Sequence, residues 1–191
     1  MQLEANPNDA GAWVEAAHAL GDAGAFAEAV DAWRRATDLL PSHPTPWLGL
    51  GRALAARGAR DEPGACYRRA VVADATNVDA RLALGLWLMH RGEFGEAELC
   101  LAEVTRTAPE RSDGLGAHAL CLHRLGRDEH AWQVLRRATA CPVSAIAAAE
   151  MARDHTERVL AREWVQKALE GAPDDPLLLH HHAAKLHPLV Q

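Results

Sequence analysis

Apolar residues in this chain fall three and four positions apart, the spacing that lines one face of an α-helix. They do so in paired blocks separated by glycine. Gly24, Gly58, Gly92 and Gly126 stand 34 residues apart, each after one apolar block and before the next. Pro41, Pro109 and Pro173 close second blocks. Ala, Leu, Glu and Arg, all strong helix formers, dominate the text, and β-branched residues are scarce. The pattern predicts helix pairs beginning near residues 10, 44, 78, 112 and 142 and one last helix, eleven helices with no strand.

A 34-residue unit of two helices with the pattern W-x2-L-G-x2-Y, then A-x3-F, then P resembles the tetratricopeptide repeat. Trp47, Leu50, Gly51 and Leu54 carry the first-helix part, with Leu in place of Tyr, and Trp13, Ala16, Ala17 and Leu20 precede them by one period. Leu84, Gly85 and Leu88 follow with Arg81 in the aromatic position, and Leu115, Ala119 and Leu122 give a weaker copy. The second-helix part reads Ala29 with Trp33, Ala97 with Leu101, Ala131 with Leu135 and Ala161 with Val165. Two departures stand out. Pro63 lies near the start of a second helix that Asp61 can cap, and the fifth copy starts near Pro142, about four residues early, with Thr156 where its turn glycine would be.

The resemblance covers roughly residues 7–173 and implies an all-α solenoid that curves as a right-handed superhelix. The whole chain, 1–191, reads as a single array of hairpins near 10–41, 44–75, 78–109, 112–141 and 142–173, with a capping helix at 175–190. Ala17, Gly51 and Gly85 are its close-approach sites. Asp174 or Asp175 caps the last helix and Pro176 opens it. Leu179, Ala183, Leu186 and Val190 make an apolar stripe on that helix, and His180, His181 and Lys185 its solvated side.

Charge and candidate chemistry narrow the function. A net charge of −6 argues against nucleic acid as a partner, because phosphate contacts need concentrated Lys and Arg. No apolar run is long enough to insert in a membrane, and the first seven residues carry no secretory signal, which points to a cytoplasmic protein. Because the repeat starts almost at once, a larger parent chain is the alternative. Cys66, Cys100, Cys121 and Cys141 form no CxxC and read as buried thiols.

Eleven histidines invite a metal reading, above all His180, His181, His182 and His187, but none sits four residues from another with a carboxylate or thiolate nearby. His18, His90, His118 and His123 fall on first helices, at polar groove positions. Gly49-Leu50-Gly51 and Gly114-Leu115-Gly116 lack the preceding strand and following GK[ST] of a phosphate loop. With no catalytic motif present, neither enzyme activity nor a metal or cofactor is expected. The pairs Arg34-Arg35, Arg68-Arg69 and Arg136-Arg137 read as a solvated outer face, with Asp31 placed to pair with Arg35.

By resemblance, the expected function is a scaffold whose concave groove holds an apolar or amphipathic segment of a protein partner. Leu82, Leu86 and Met89 form a second stripe on their helix, beyond Leu84, Gly85 and Leu88, and Leu48 and Leu120 from adjoining repeats are expected to join it. Arg52, His90, His123 and Arg124 would form its polar rim. A tight superhelix, in which these side chains touch one another, is the competing account. The family's clamp for a C-terminal carboxylate is missing, since Val14, His18, Leu82 and Leu86 stand where its basic and amide residues would project. Two other roles fit the same repeats: the interaction domain of a larger transferase or protease, and a small secretion-type chaperone of bacteria.

Overall fold

The structure, a computed structural model, describes residues 8–153 and 155–184. Among them are eleven α-helices and no strand: α1 (Ala10–Asp22), α2 (Phe26–Leu39), α3 (Pro44–Ala56), α4 (Glu62–Ala73), α5 (Val78–His90), α6 (Phe94–Thr107), α7 (Ser112–Arg124), α8 (Asp128–Leu135), α9 (Pro142–Met151), α10 (His155–Gly171) and α11 (Pro176–Ala184).

Local chemistry sets the ends of these helices. Asp9 caps α1 by accepting a hydrogen bond from the Ala12 amide at 3.1 Å. The four glycines of the 34-residue period adopt φ between 74° and 89° and are the only described residues in the left-handed region. At Gly24, Gly58 and Gly126 the next residue's amide reaches back to the carbonyl of Leu20, Leu54 or Leu122 at 2.9 to 3.0 Å, the closure that ends a helix and reverses the chain. Pro63 lies in the first turn of α4, as expected, and Asp61 occupies the cap position without a side-chain cap bond.

The fifth hairpin departs from this plan for a visible reason. Helix α8 is only eight residues long, and Cys141 and Ser144 form a reciprocal cap that starts α9 at Pro142. Lacking a glycine, α9 ends with Ala152 in an extended conformation. Thr156 therefore lies inside α10 and not at the turn expected from the displaced register.

The chain forms two compact units, residues 1–88 and 89–191. In the first, Ala17, Ala29, Val30, Trp33, Leu50 and Leu54 build the core. Aromatic rings there seat on glycine: a Cβ on Gly49 would stand 2.4 Å from the Trp33 indole, one on Gly51 2.4 Å from Tyr67, and one on Gly64 2.3 Å from Trp87. In the second, Leu115, Leu122, Leu135, Met151, Val165 and Leu178 pack with a run of alanines from α9. Here glycine meets backbone, for a Cβ on Gly116 would lie 2.7 Å from the Ser144 main chain.

Two expectations need correction. The buried side of α11 is Leu178 with His181, whereas Leu179 is 46% exposed and His181 only 5%. Asp175 accepts from the amides of Leu177 and Leu178 and starts the helix, and Leu178 and His181, three residues apart, share its inward face. The side chain of Ala183, with Lys185, Leu186 and Val190, lies outside the described residues, as do the side chain of His182 and all of His187. All four cysteines are free thiols, but only Cys66 and Cys121 are buried; Cys100 and Cys141 are half-buried.

Candidate functional site

Helices α1 and α3 both pack on α2 but touch each other in few places, and between them lies a cleft of about 250 Å³. Ala17 and Gly21 of α1 and Ala53 and Ala56 of α3 leave the space, while Phe26, Trp33 and Leu48 supply apolar walls. Gly49 lets the Trp33 indole lie directly on the backbone of α3, and His18 meets the same indole edge-on at 4.9 Å between ring centroids. The ring thus fills the base of the cleft and holds α3 away from α1. At the mouth stand two exposed charges, Asp22 and Arg52, neither with an ion-pair partner among the described residues.

The residues singled out in the sequence distribute unevenly. Leu48 and Arg52 both line the cleft. On α5, Leu82 is buried, Met89 half-buried and His90 exposed, and Leu86 is 42% exposed. In the second unit Leu120 packs partly buried against the core. His123 Nδ1 lies 2.6 Å from an Asp128 carboxylate oxygen, and the other oxygen of Asp128 meets Arg153 at 2.8 Å. Arg124 donates to Glu150 at 2.6 Å, and Glu150 lies 4.0 Å from His181 Nε2. The expected rim residues His123 and Arg124 are therefore held by carboxylates of their own unit. Asp22 and Phe26 escaped the sequence reading, and Trp33 was read only as a repeat position; the available signal was Gly49, a glycine inside a helix with no turn to make.

His118, expected at a polar groove position, is instead buried at 4% exposure. The Thr105 hydroxyl donates its proton to the Ala102 carbonyl at 2.9 Å, so its oxygen accepts from His118 Nδ1–H at 3.2 Å. That assignment leaves Nε2 as a buried lone pair with no hydrogen-bond partner. Burial pushes the pKa of His118 down to about 4, and the ring is neutral at physiological pH.

Other candidate chemistry is absorbed by structure. Arg68 lies over Trp87 at 5.4 Å and Arg69 over Trp47 at 4.7 Å, cation–π contacts that engage the basic pair of α4. Asp31 pairs with Arg34 at 3.8 Å, one position from the partner expected. Among the described residues no group of three His, Cys, Asp or Glu side chains is placed to hold a metal ion, and no helix is long and apolar enough to cross a membrane.

Comparison with known proteins places this architecture. The sequence profile of the tetratricopeptide repeat (TPR) matches residues 14–78 and 82–145, more than half of the chain. No curated protein sequence is matched significantly. Among solved structures, TTC0263, a thermophilic TPR protein of Thermus thermophilus, is 21% identical with a TM-score of 0.73, over 93% of this chain and 98% of that one. YrrB, described as a TPR protein with an unusual peptide-binding site, is 21% identical with a TM-score of 0.68 over 94% of each chain. PilW, a type IV pilus biogenesis factor, is 20% identical with a TM-score of 0.69 over 93% of this chain and 84% of its own. At these identities the likeness is one of fold. The 34-residue glycine turns, the paired helices and the matched profile agree, and the chain belongs to the tetratricopeptide repeat family.

Proposed function

We propose that the protein is a non-catalytic interaction scaffold that holds an apolar or amphipathic segment of a protein partner against first helices of its repeats. The observation that carries this reading is the open, apolar-walled cleft of the first unit, lined by Leu48 and Arg52. Exposed Leu86 on α5 adds apolar surface in the same unit. A volume of about 250 Å³ falls below the roughly 300–1,000 Å³ of small-molecule pockets, so it suits a single large side chain better than a cofactor. The negative net charge favours protein over nucleic acid. A peptide-binding site in YrrB gives the reading a precedent in this fold. His123 and Arg124 contribute less, because a partner would have to compete with Asp128 and Glu150 for them.

The test uses Leu86→Glu and Ala56→Trp in the full chain, the first placing charge on exposed apolar surface and the second filling the cleft from an exposed helix position. A partner identified by affinity capture is then titrated against wild type and both variants. The expected result is unchanged melting and affinity weakened by about ten-fold or more for each, as for loss of a buried anchor contact. Two variants that fold normally and bind with full affinity would falsify the scaffold surface named here.

A further inference from the structure

The cleft between α1 and α3 is electrically bipolar. Its apolar interior, walled by Phe26, Trp33 and Leu48, opens between Asp22 and Arg52, both exposed and neither neutralised within the described protein. Asp22 is the last residue of α1, where the helix dipole presents its negative end, and no basic residue stands in that last turn. A carboxylate there is disfavoured by its own helix. A cation brought by a ligand would offset that repulsion. Arg52, in the body of α3, offers a planar donor of opposite sign on the other wall. The volume limits what lies between: a cavity of roughly 150 Å³ takes one benzene ring, so about 250 Å³ holds one large side chain with little left over.

Resting on the scaffold reading above, we propose that this cleft selects a peptide segment in which one large apolar side chain is flanked on one side by a carboxylate, which meets Arg52, and on the other by a Lys or Arg, which meets Asp22. The apolar side chain supplies the affinity by leaving water against Phe26 and Leu48. The two charges fix the direction in which the peptide runs, because a reversed segment would set like charges together at both walls. A neutral apolar segment enters with no preferred direction.

The experiment uses fluorescein-labelled peptides of equal length, all with a central leucine: one with Glu before and Lys after it, one with that order reversed, and one with Gln at both places. Each is titrated by anisotropy against the full chain, Arg52→Glu, Asp22→Lys and the double variant. Wild type should bind one charged order about five-fold more tightly than the other at low salt, the scale of two exposed ion pairs. The double variant should exchange the two orders, each single variant should lose the discrimination, and salt at about 0.5 M should remove it from every protein. Equal binding of all three peptides would overturn the charge selection and leave the apolar cleft as a binding site. Absence of binding by every leucine-centred peptide would overturn occupancy of the cleft, and the scaffold reading at this position with it.

Discussion

The first and second units solve one packing problem in opposite ways. In the first unit α1 and α3, the first helices of successive hairpins, both pack on the second helix α2, whereas in the second unit α9 packs on the first helix α7 and touches the short α8 in few places. In the first unit Trp33, seated on Gly49, props α3 away from α1 and an apolar cleft remains. In the second unit α7 and α9 pack along their lengths, because Gly116 admits the Ser144 backbone and Ala145, Ala148 and Ala149 present nothing larger than a methyl group. The rim charges follow the same division. Asp22 and Arg52 stay open, whereas His123 and Arg124 are tied to Asp128 and Glu150. One repeat pattern thus yields an open joint where an aromatic wedge fills the interface and a closed joint where alanine and glycine do.

The difference between the two joints is tested most directly by side chains placed on the two glycines. Gly116→Val sets a branched Cβ against backbone that has nowhere to go, and should cost about 3 kcal/mol or more in urea denaturation. Gly49→Ala meets the side chain of Trp33, which has some freedom to shift, and a gain in helix propensity offsets part of the strain, for a net loss of about 1–2 kcal/mol. Equal losses at the two sites would show that backbone and ring contacts are not the distinction.

A second contrast is titration. Among the described residues His118 and His181 of the second unit are buried, while His18 and His43 of the first are exposed. Above the ordinary histidine value of 6.5, His118 is neutral in folded and unfolded chains alike and contributes no pH dependence. Between 6.5 and about 4 the unfolded chain binds a proton that the folded ring refuses, so stability falls as pH falls, by up to about 3 kcal/mol, and levels below about 4. His118→Asn, whose amide N–H can replace Nδ1–H toward Thr105, should flatten that part of the profile in melts from pH 7 to 4. A variant profile as steep as wild type would assign the acid sensitivity elsewhere.

The smallest expected effect reverses the usual sign. Asp22→Lys replaces a disfavoured carboxylate at the end of α1 with a cation the helix dipole welcomes, and should raise stability by about 0.5 kcal/mol. A lower melting temperature would reveal a structural role for the Asp22 carboxylate and remove the argument that its charge is kept for a ligand.

Much of the fold was legible because its determinants are local and periodic. Gly24, Gly58, Gly92 and Gly126 each make a left-handed turn that other residues adopt only under strain, and Pro63 and Pro176 act within one helical turn of themselves. Helix number, the boundaries of the regular hairpins and the early start at Pro142 follow from such signals. Leu48 and Arg52 emerged as site candidates on the same basis, since repeat register assigns a face to each position. Register does not say how far apart two faces come to rest. Whether α3 stands off α1, whether α9 closes on α7, and whether His118 or His181 is buried depend on side chains brought together from different helices. That spacing is set by the volume of an indole against that of a methyl group, a quantity present in the sequence only as separate letters and converted to a distance only when the helices pack.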